Sequence, residues 1–404
     1  MVKASQYDVI IVGAGMVGAA AACLLARANL SCKSEPISIA LVDARIARPF
    51  NALQFDPRVA AVTESSRHLL ERCGVWKAVE AKRISAYEAM EVWDAEGTGR
   101  IHFDCHDIHQ PNLGHIIENS VLVEALLEEV ALQPSISFIC PVTITDYRYC
   151  DDQITVVLDS GRELCGSLLI AADGANSLIR QHFDIDTKEW DYGHKAIVTT
   201  IVTERENQKT AWQRFMPSGP LALLPLNKAG DLRHSSIVWS QELGEADRLM
   251  ALDDVQFCAE LSRASEHCLG SVLAVDERFS VPLRQRHAKN YVLPRVALIG
   301  DAAHTIHPLA GQGVNLGFSD VEALVDEVGR AIGRGNDIGD TATLKRYQRR
   351  RKPHNLAAMA VMEGFKRLFS ADQLGVRLLR NMGMSGLDRL APLKNEIIKK
   401  AMGL

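Results

Sequence analysis

Two glycine-rich segments carry the residues best suited to chemistry. The first is Gly13-x-Gly15-x-x-Gly18, bounded by the apolar run Tyr7 to Val12 and by an Ala/Leu-rich stretch from Met16 to about Ala28. In such a loop the first glycine permits a tight turn, the second lets main chain approach a pyrophosphate, and the third lets helix pack on strand, so that helix N–H groups face the anion. Asp43 stands twenty-five positions after Gly18, at the end of a second apolar run from Ile37 to Val42. That is slightly beyond the usual interval of about 20, and a surface insertion around Asn29 to Ser38 accounts for the excess. A carboxylate there accepts hydrogen bonds from ribose hydroxyls. The second segment is Gly300-Asp301-Ala302-Ala303-His304, continuing through His307, Pro308, Gly311, Gln312, Gly313 and Asn315. It follows the short buried run Val296 to Ile299, which puts Asp301 at a strand's carboxyl end, where open α/β sheets hold ligands. Asp301 is placed to accept from ribityl hydroxyls, while Gly311 and Gly313 leave main chain bare for a flat ring. The following helix aims its positive end at that ring, which suits the negative charge of a reduced flavin.

The elements that must position these groups are legible in outline. The order strand, glycine loop, helix, strand over residues 7–42 is a βαβ unit. Ser120 to Ala131 has helical periodicity, and Leu168 to Ala172 reads as a buried strand. From Lys195 to Pro282 the chain alternates Val, Ile, Thr and Trp between Gly/Pro breaks, as antiparallel sheet does, with one helix near Val255 to Arg263. A helix follows from Ser319 to about Arg334, and the helical stretch from Thr341 is expected to break at Pro353 before resuming through Phe369.

Composition narrows the class. The 404 residues are 47% hydrophobic and 24% charged, the mix of an ordinary globular protein, and the formal net charge of −5 gives no positive field for nucleic acid. None of the nine cysteines falls at C-x-x-C spacing, so no disulfide framework or zinc site is indicated. With no signal-like or spanning apolar segment, a cytoplasmic protein is expected.

Three segments together resemble the class A FAD-dependent aromatic hydroxylases, which have the p-hydroxybenzoate hydroxylase fold: the Gly13 loop, Ala172-Asp173-Gly174-Ala175-Asn176-Ser177-x-x-Arg180, and Gly300 to Pro308. Met90 to Asp94, Gly114 to Ser120 and Asp301 to Phe318 bring the likeness closer to the ubiquinone-biosynthesis hydroxylases, and among them to the UbiI or VisC branch that acts on 2-polyprenylphenol. The resemblance runs the length of the chain. It implies an α/β protein with a discontinuous Rossmann-like FAD-binding domain (1–80, 110–182 and 288–340). Interleaved with it would be a mainly antiparallel β-sheet substrate domain (81–109 and 183–287), followed by a C-terminal helical region (341–404). It implies that Gly13, Gly15, Gly18 and Asp43 meet the adenosine diphosphate, that Arg58 and Asn119 lie near the flavin or its pyrophosphate, and that Gly300 and Asp301 meet the ribityl chain. Gly313, Val314 and Asn315 would present backbone to the ring's pyrimidine edge, and Asp173-Gly174 would serve both FAD and a transient NAD(P)H.

The implied reaction is ring hydroxylation of a polyprenylphenol by O2 through a flavin C4a-hydroperoxide, which demands a dry roof over the ring. The proline-bounded stretch Pro220 to Pro225, with Phe215, Leu223 and Trp239, is the candidate roof; plain sheet core is the other reading. His304 reads as a structural part of its loop, whereas His307 and Pro308 are the candidates for the substrate side. The basic run Lys345, Arg346, Arg349 to Lys352 reads as a solvated helix face or, with the amphipathic stretches Met359 to Phe369 and Val376 to Met384, as a peripheral contact with the inner membrane. Those faces equally suit a second copy of the chain or other ubiquinone-biosynthesis proteins. A halogenase is disfavoured because neither Trp190 nor Trp239 sits in a W-x-W-x-I-P segment. Hydroxylation of another small phenol and an FAD-binding scaffold remain as alternatives.

Overall fold

The computed structural model describes residues 5–28, 36–150, 152–305, 313–369 and 373–403. The strands Ile136–Ile139, Ile39–Val42, Ser5–Val12, Glu163–Ala171 and Val296–Leu298 lie side by side in that order and run parallel. The inner strands are Val/Ile/Leu-rich and buried on both faces, as central parallel strands are, whereas the edge strand Ile136–Ile139 leaves Phe138 exposed. Helices Met16–Arg27, Asn119–Leu132 and Gly313–Gly333 cover them, and residues such as Ile10, Leu25, Leu41, Leu126 and Val321 form one continuous core. The parallel register brings the carboxyl ends of Ser5–Val12, Glu163–Ala171 and Val296–Leu298 to one edge. The Gly13, Asp173 and Asp301 motifs follow those ends.

A second sheet of nine described strands crosses beside the first. Its order is His304–Thr305, Phe279–Ala288, Thr187–Thr203, Asp231–Glu242, Leu221–Lys228, Thr210–Phe215, Ala89–Asp94 and Arg100–Asp104, with Val272–Val275 added to Thr187–Thr203. It is antiparallel except where Thr210–Phe215 pairs with Ala89–Asp94. One face is covered by helices Leu243–Met250 and Asp254–Ala264. The first of these is absent from the sequence reading, being too short to establish a period. A small sheet of Val59–Val62, Gly114–Glu118 and Ser85–Tyr87 bridges the two large ones.

The C-terminal region is helical over Thr341–Phe369, Leu374–Arg389 and Ala391–Met402. Pro353 does not break the first of these, as its sequence suggested. The helix is held by packing against Gly313–Gly333 and by ion pairs along its length, and such tertiary support outweighs the roughly 3 kcal/mol penalty of an internal proline. Arg380 and Asp94, each only 1% exposed, pair at 2.7 Å and fix Leu374–Arg389 to the large sheet.

Candidate active site

Gly13 has φ +104°, and a Cβ there would lie 2.3 Å from the Ala172 carbonyl oxygen; a Cβ on Gly18 would lie 1.8 Å from the Gly13 oxygen. Only bare main chain closes this turn. Above Gly15, by contrast, nothing lies within 4 Å of a built Cβ, which leaves the open side that a pyrophosphate requires. Asp43 accepts from the Ala14 N–H (2.7 Å) and the Arg45 N–H (2.8 Å), so it shapes the glycine loop while its remaining lone pairs stay available to a ribose.

A cleft of about 440 Å³ gathers Gly15, Arg58, Asn119, Gly174, Gly300, Asp301, Gly313 and Val314 from segments nearly three hundred residues apart. Asp56 accepts from the Ser120 N–H at 3.1 Å and so seats the start of the Asn119–Leu132 helix. Asn119 lies there with its Oδ1 buried and without a described partner. Asp301 is exposed to the cleft itself but walled by protein elsewhere, and this burial raises its carboxyl above the ordinary carboxylate range. From Gly313 a helix is described over 21 residues, and the positive end of its dipole lies at the same cleft. An orphaned amide oxygen, a lone carboxylate, an open glycine loop and a helix terminus together fit the pyrophosphate, ribityl chain and ring edge of FAD.

The side chains of two further expected residues have structural partners. Asp173 caps the short helix Leu178–His182 through the Leu178 N–H (2.8 Å) and Ile179 N–H (3.3 Å), and burial raises its carboxyl too. The Asn315 side chain accepts from Ser66 Oγ (2.7 Å) and donates to the Ala61 carbonyl (2.8 Å), stapling its helix to the bridging sheet. His307, Pro308 and Gly311 lie outside the described residues.

The roof residues are corrected by sheet parity. Ala196, Val198, Val238, Val281 and Leu283 form the apolar wall of the cleft. Trp239, one position on, faces the other way and meets Phe257 edge-on at 6.0 Å, and Leu223 lies in the same cluster beneath the helices. Pro225 shares that parity and borders a small separate hollow with Ser85 and Asn207. In a strand one residue is the difference between core and site. Phe215 does lie on the cleft side, but it stacks on Phe369 at 4.0 Å, in an apolar cavity beneath the C-terminal helices.

Beneath the Asp301 turn lies a polar cluster that the sequence reading missed. Asp320, fully buried, accepts from Gly300 N–H (3.1 Å), Arg351 Nε (2.8 Å) and Asn355 Nδ2 (3.1 Å) and meets His304 Nε2 at 2.5 Å. Burial opposes ionisation of Asp320, but His304 and Arg351 outweigh it and hold the carboxyl below its usual range. Asn355 donates to Tyr291 Oη (3.3 Å), which contacts His287 Nε2 (3.0 Å); burial brings His287 down to about 4. Arg180 joins the two motifs, donating to the Ala302 (2.8 Å) and Ala175 (2.7 Å) carbonyls. The structural reading of His304 therefore agrees with its contacts. Part of the basic run is engaged by the fold: Arg346 and Arg350 bond buried Glu327, Arg351 bonds Asp320, and Lys352 bonds the Lys289 carbonyl, while Lys345 and Arg349 are exposed as on a solvated face. The signal available in the sequence was Asp320 and Glu327, seven apart on an apolar helix face, where acids demand buried partners.

Residues 6–362 match the family described as FAD binding domain. The chain is 36% identical to 3-demethoxyubiquinol 3-hydroxylase of Escherichia coli K12 over 98% of each chain. It is 34% identical to the mitochondrial ubiquinone biosynthesis monooxygenase COQ6 of Xenopus tropicalis, over 97% of this chain and 92% of that one. Among solved structures, p-nitrophenol 4-monooxygenase PnpA of Pseudomonas putida DLL-E4 superposes with a TM-score of 0.79 at 17% identity, covering 98% of each chain, a likeness of fold. These similarities support the ubiquinone hydroxylases as a group.

Proposed function

The chain belongs to the FAD-binding-domain family of flavin-dependent monooxygenases, and from that premise we propose that it hydroxylates the ring of a polyprenylated phenol in ubiquinone biosynthesis, using O2 and electrons from NAD(P)H. The observation that carries this reading is the cleft in which Gly15, Arg58, Asn119, Asp301 and Gly313 face an apolar wall of Ala196, Val198, Val238, Val281 and Leu283. FAD, when bound, supplies oxygen activation. The chain's part is to hold and shield. The glycine loop and Asp43 would take the adenosine diphosphate, Asp301 the ribityl hydroxyls, and the Gly313 helix terminus the negative edge of the ring. The valines and Leu283 keep water from the reacting carbon, and water exclusion is what couples oxygen use to product. A phenol ring is already electron-rich, so the reading requires no dedicated base.

Among the described residues no helix is long and apolar enough to cross a membrane. Peripheral contact is proposed through the C-terminal helices, where Leu379, Met382 and Leu390 are exposed. Two measurements test the function. Purified protein should carry FAD and oxidise NAD(P)H faster when a prenylated phenol is added, and deletion in a ubiquinone-making host should accumulate an unhydroxylated prenylated precursor. Bound FAD with no acceleration by any prenylated phenol would favour a scaffold instead.

A further inference from the structure

We propose that the apolar cavity between the large sheet and the last three helices seats the hydrocarbon chain of the substrate, which enters it from the flavin cleft across Ala222. The inference rests on the prenylated-phenol reading and assigns that substrate's chain a place.

The cavity holds about 280 Å³ and is walled by side chains such as Val92, Ile101, Phe103, Phe215, Leu387 and Met402, with Tyr87 and Gln213 as its polar exceptions. Such a lining suits a hydrocarbon and offers little to a sugar, phosphate or charged ligand. Its relation to the cleft follows from strand register. Val198 pairs with Val238, Val238 with Ala222, Ala222 with Gln213, Gln213 with Val92, and Val92 with Ile101. Directly paired residues point to the same face, so this is one unbroken row across six strands. Val198 and Val238 line the cleft, and Gln213, Val92 and Ile101 line the cavity. Along this row Ala222, itself buried, is the one residue between them, so at the usual strand spacing the cleft's edge is about 10 Å from the cavity's edge. Ala222 carries the smallest side chain of the row and belongs to the same cluster as Ile398 and Met402, which wall the cavity from the last helix.

The far end of the cavity is open. Phe365 and Ile397 line it and yet are 45% and 39% exposed, and the same helices expose Leu368, Leu379, Met382 and Leu393. A chain longer than the cavity leaves between Phe365 and Ile397 onto apolar surface rather than into water.

The test uses the FAD-loaded enzyme and a series of phenols carrying one, two and three isoprene units. In the wild type kcat/KM should rise along the series. In Ala222→Phe, the ratio of the three-unit to the one-unit value should fall at least tenfold. Met402→Glu, at the cavity wall, should do the same and serves where Ala222→Phe fails to fold. Farnesol, a chain without a ring, is titrated separately into the same holoenzymes by calorimetry, and Phe365→Glu and Met402→Glu should weaken its binding at least tenfold. If no phenol of any length is hydroxylated, the functional reading fails, and farnesol titration alone decides the cavity. If chain-length dependence survives Ala222→Phe and Met402→Glu, or farnesol binding is absent or unaffected by both cavity substitutions, the assignment is overturned.

Discussion

Replacing Asp320 by Ala probes the cluster that underlies the cofactor turn. Its carboxylate gathers Gly300 N–H, His304, Arg351 and Asn355 at 2.5–3.1 Å in a fully buried setting. Removing one partner of a buried ion pair strands the other, at about 3–5 kcal/mol, whereas replacing both partners by apolar groups is often close to neutral. For 404 residues unfolding as one unit, at about 2.1 cal/mol/K per residue, this corresponds to a fall in Tm of roughly 4–6 °C. Because Gly300 is tied directly to Asp320, the turn carrying Asp301 loosens as well, and FAD affinity should fall with stability. The double variant Asp320→Leu, Arg351→Leu should recover part of the loss, so that the two single effects exceed their combination. Urea unfolding of apo and FAD-loaded protein, with FAD affinity by fluorescence titration, gives both quantities. If Asp320→Ala unfolds within about 0.5 kcal/mol of the wild type, the size of a neutral surface change, and binds FAD equally well, the cluster does not support the site.

Three further outcomes follow from the same structure. Asp301→Asn should weaken FAD about 10–100-fold, the range expected for a lost hydrogen bond to a charged group, without lowering apo stability, because burial already disfavours this carboxylate. In the wild type, FAD affinity should also decline as pH falls through the raised Asp301 value, and equilibrium titration against pH would reveal it. His287 is held neutral in the fold, with its value brought from 6.5 down to about 4, so its contribution to stability is full above 6.5 and is lost as pH falls towards 4; His287→Gln should flatten that part of the denaturation profile. Asp320, held below 3.8, gives way only at still lower pH. Trp239→Ala should cost about 3–5 kcal/mol by opening the core against Phe257 while leaving KM for a short-chain phenol unchanged, and a raised KM at full stability would restore Trp239 to the substrate wall.

What the sequence determined by itself is local. Glycine spacing, strand-like and helix-like periods and an acid at a strand's end are properties of neighbouring residues, so the βαβ unit around Gly13 and the turn bearing Asp301 could be read before any coordinates. Their convergence on FAD came through resemblance, and the parallel register of Ser5–Val12, Glu163–Ala171 and Val296–Leu298 is its physical basis. What only the tertiary structure decided depends on parity and on distant partners. Val238 and Trp239 are alike in hydrophobicity and adjacent in sequence, and only the pairing of their strand says which one faces the cleft. Arg351 resembles its basic neighbours until Asp320, thirty-one residues earlier, is found buried against it. Periodicity reports how far a side chain turns from its neighbour, but not what it turns towards.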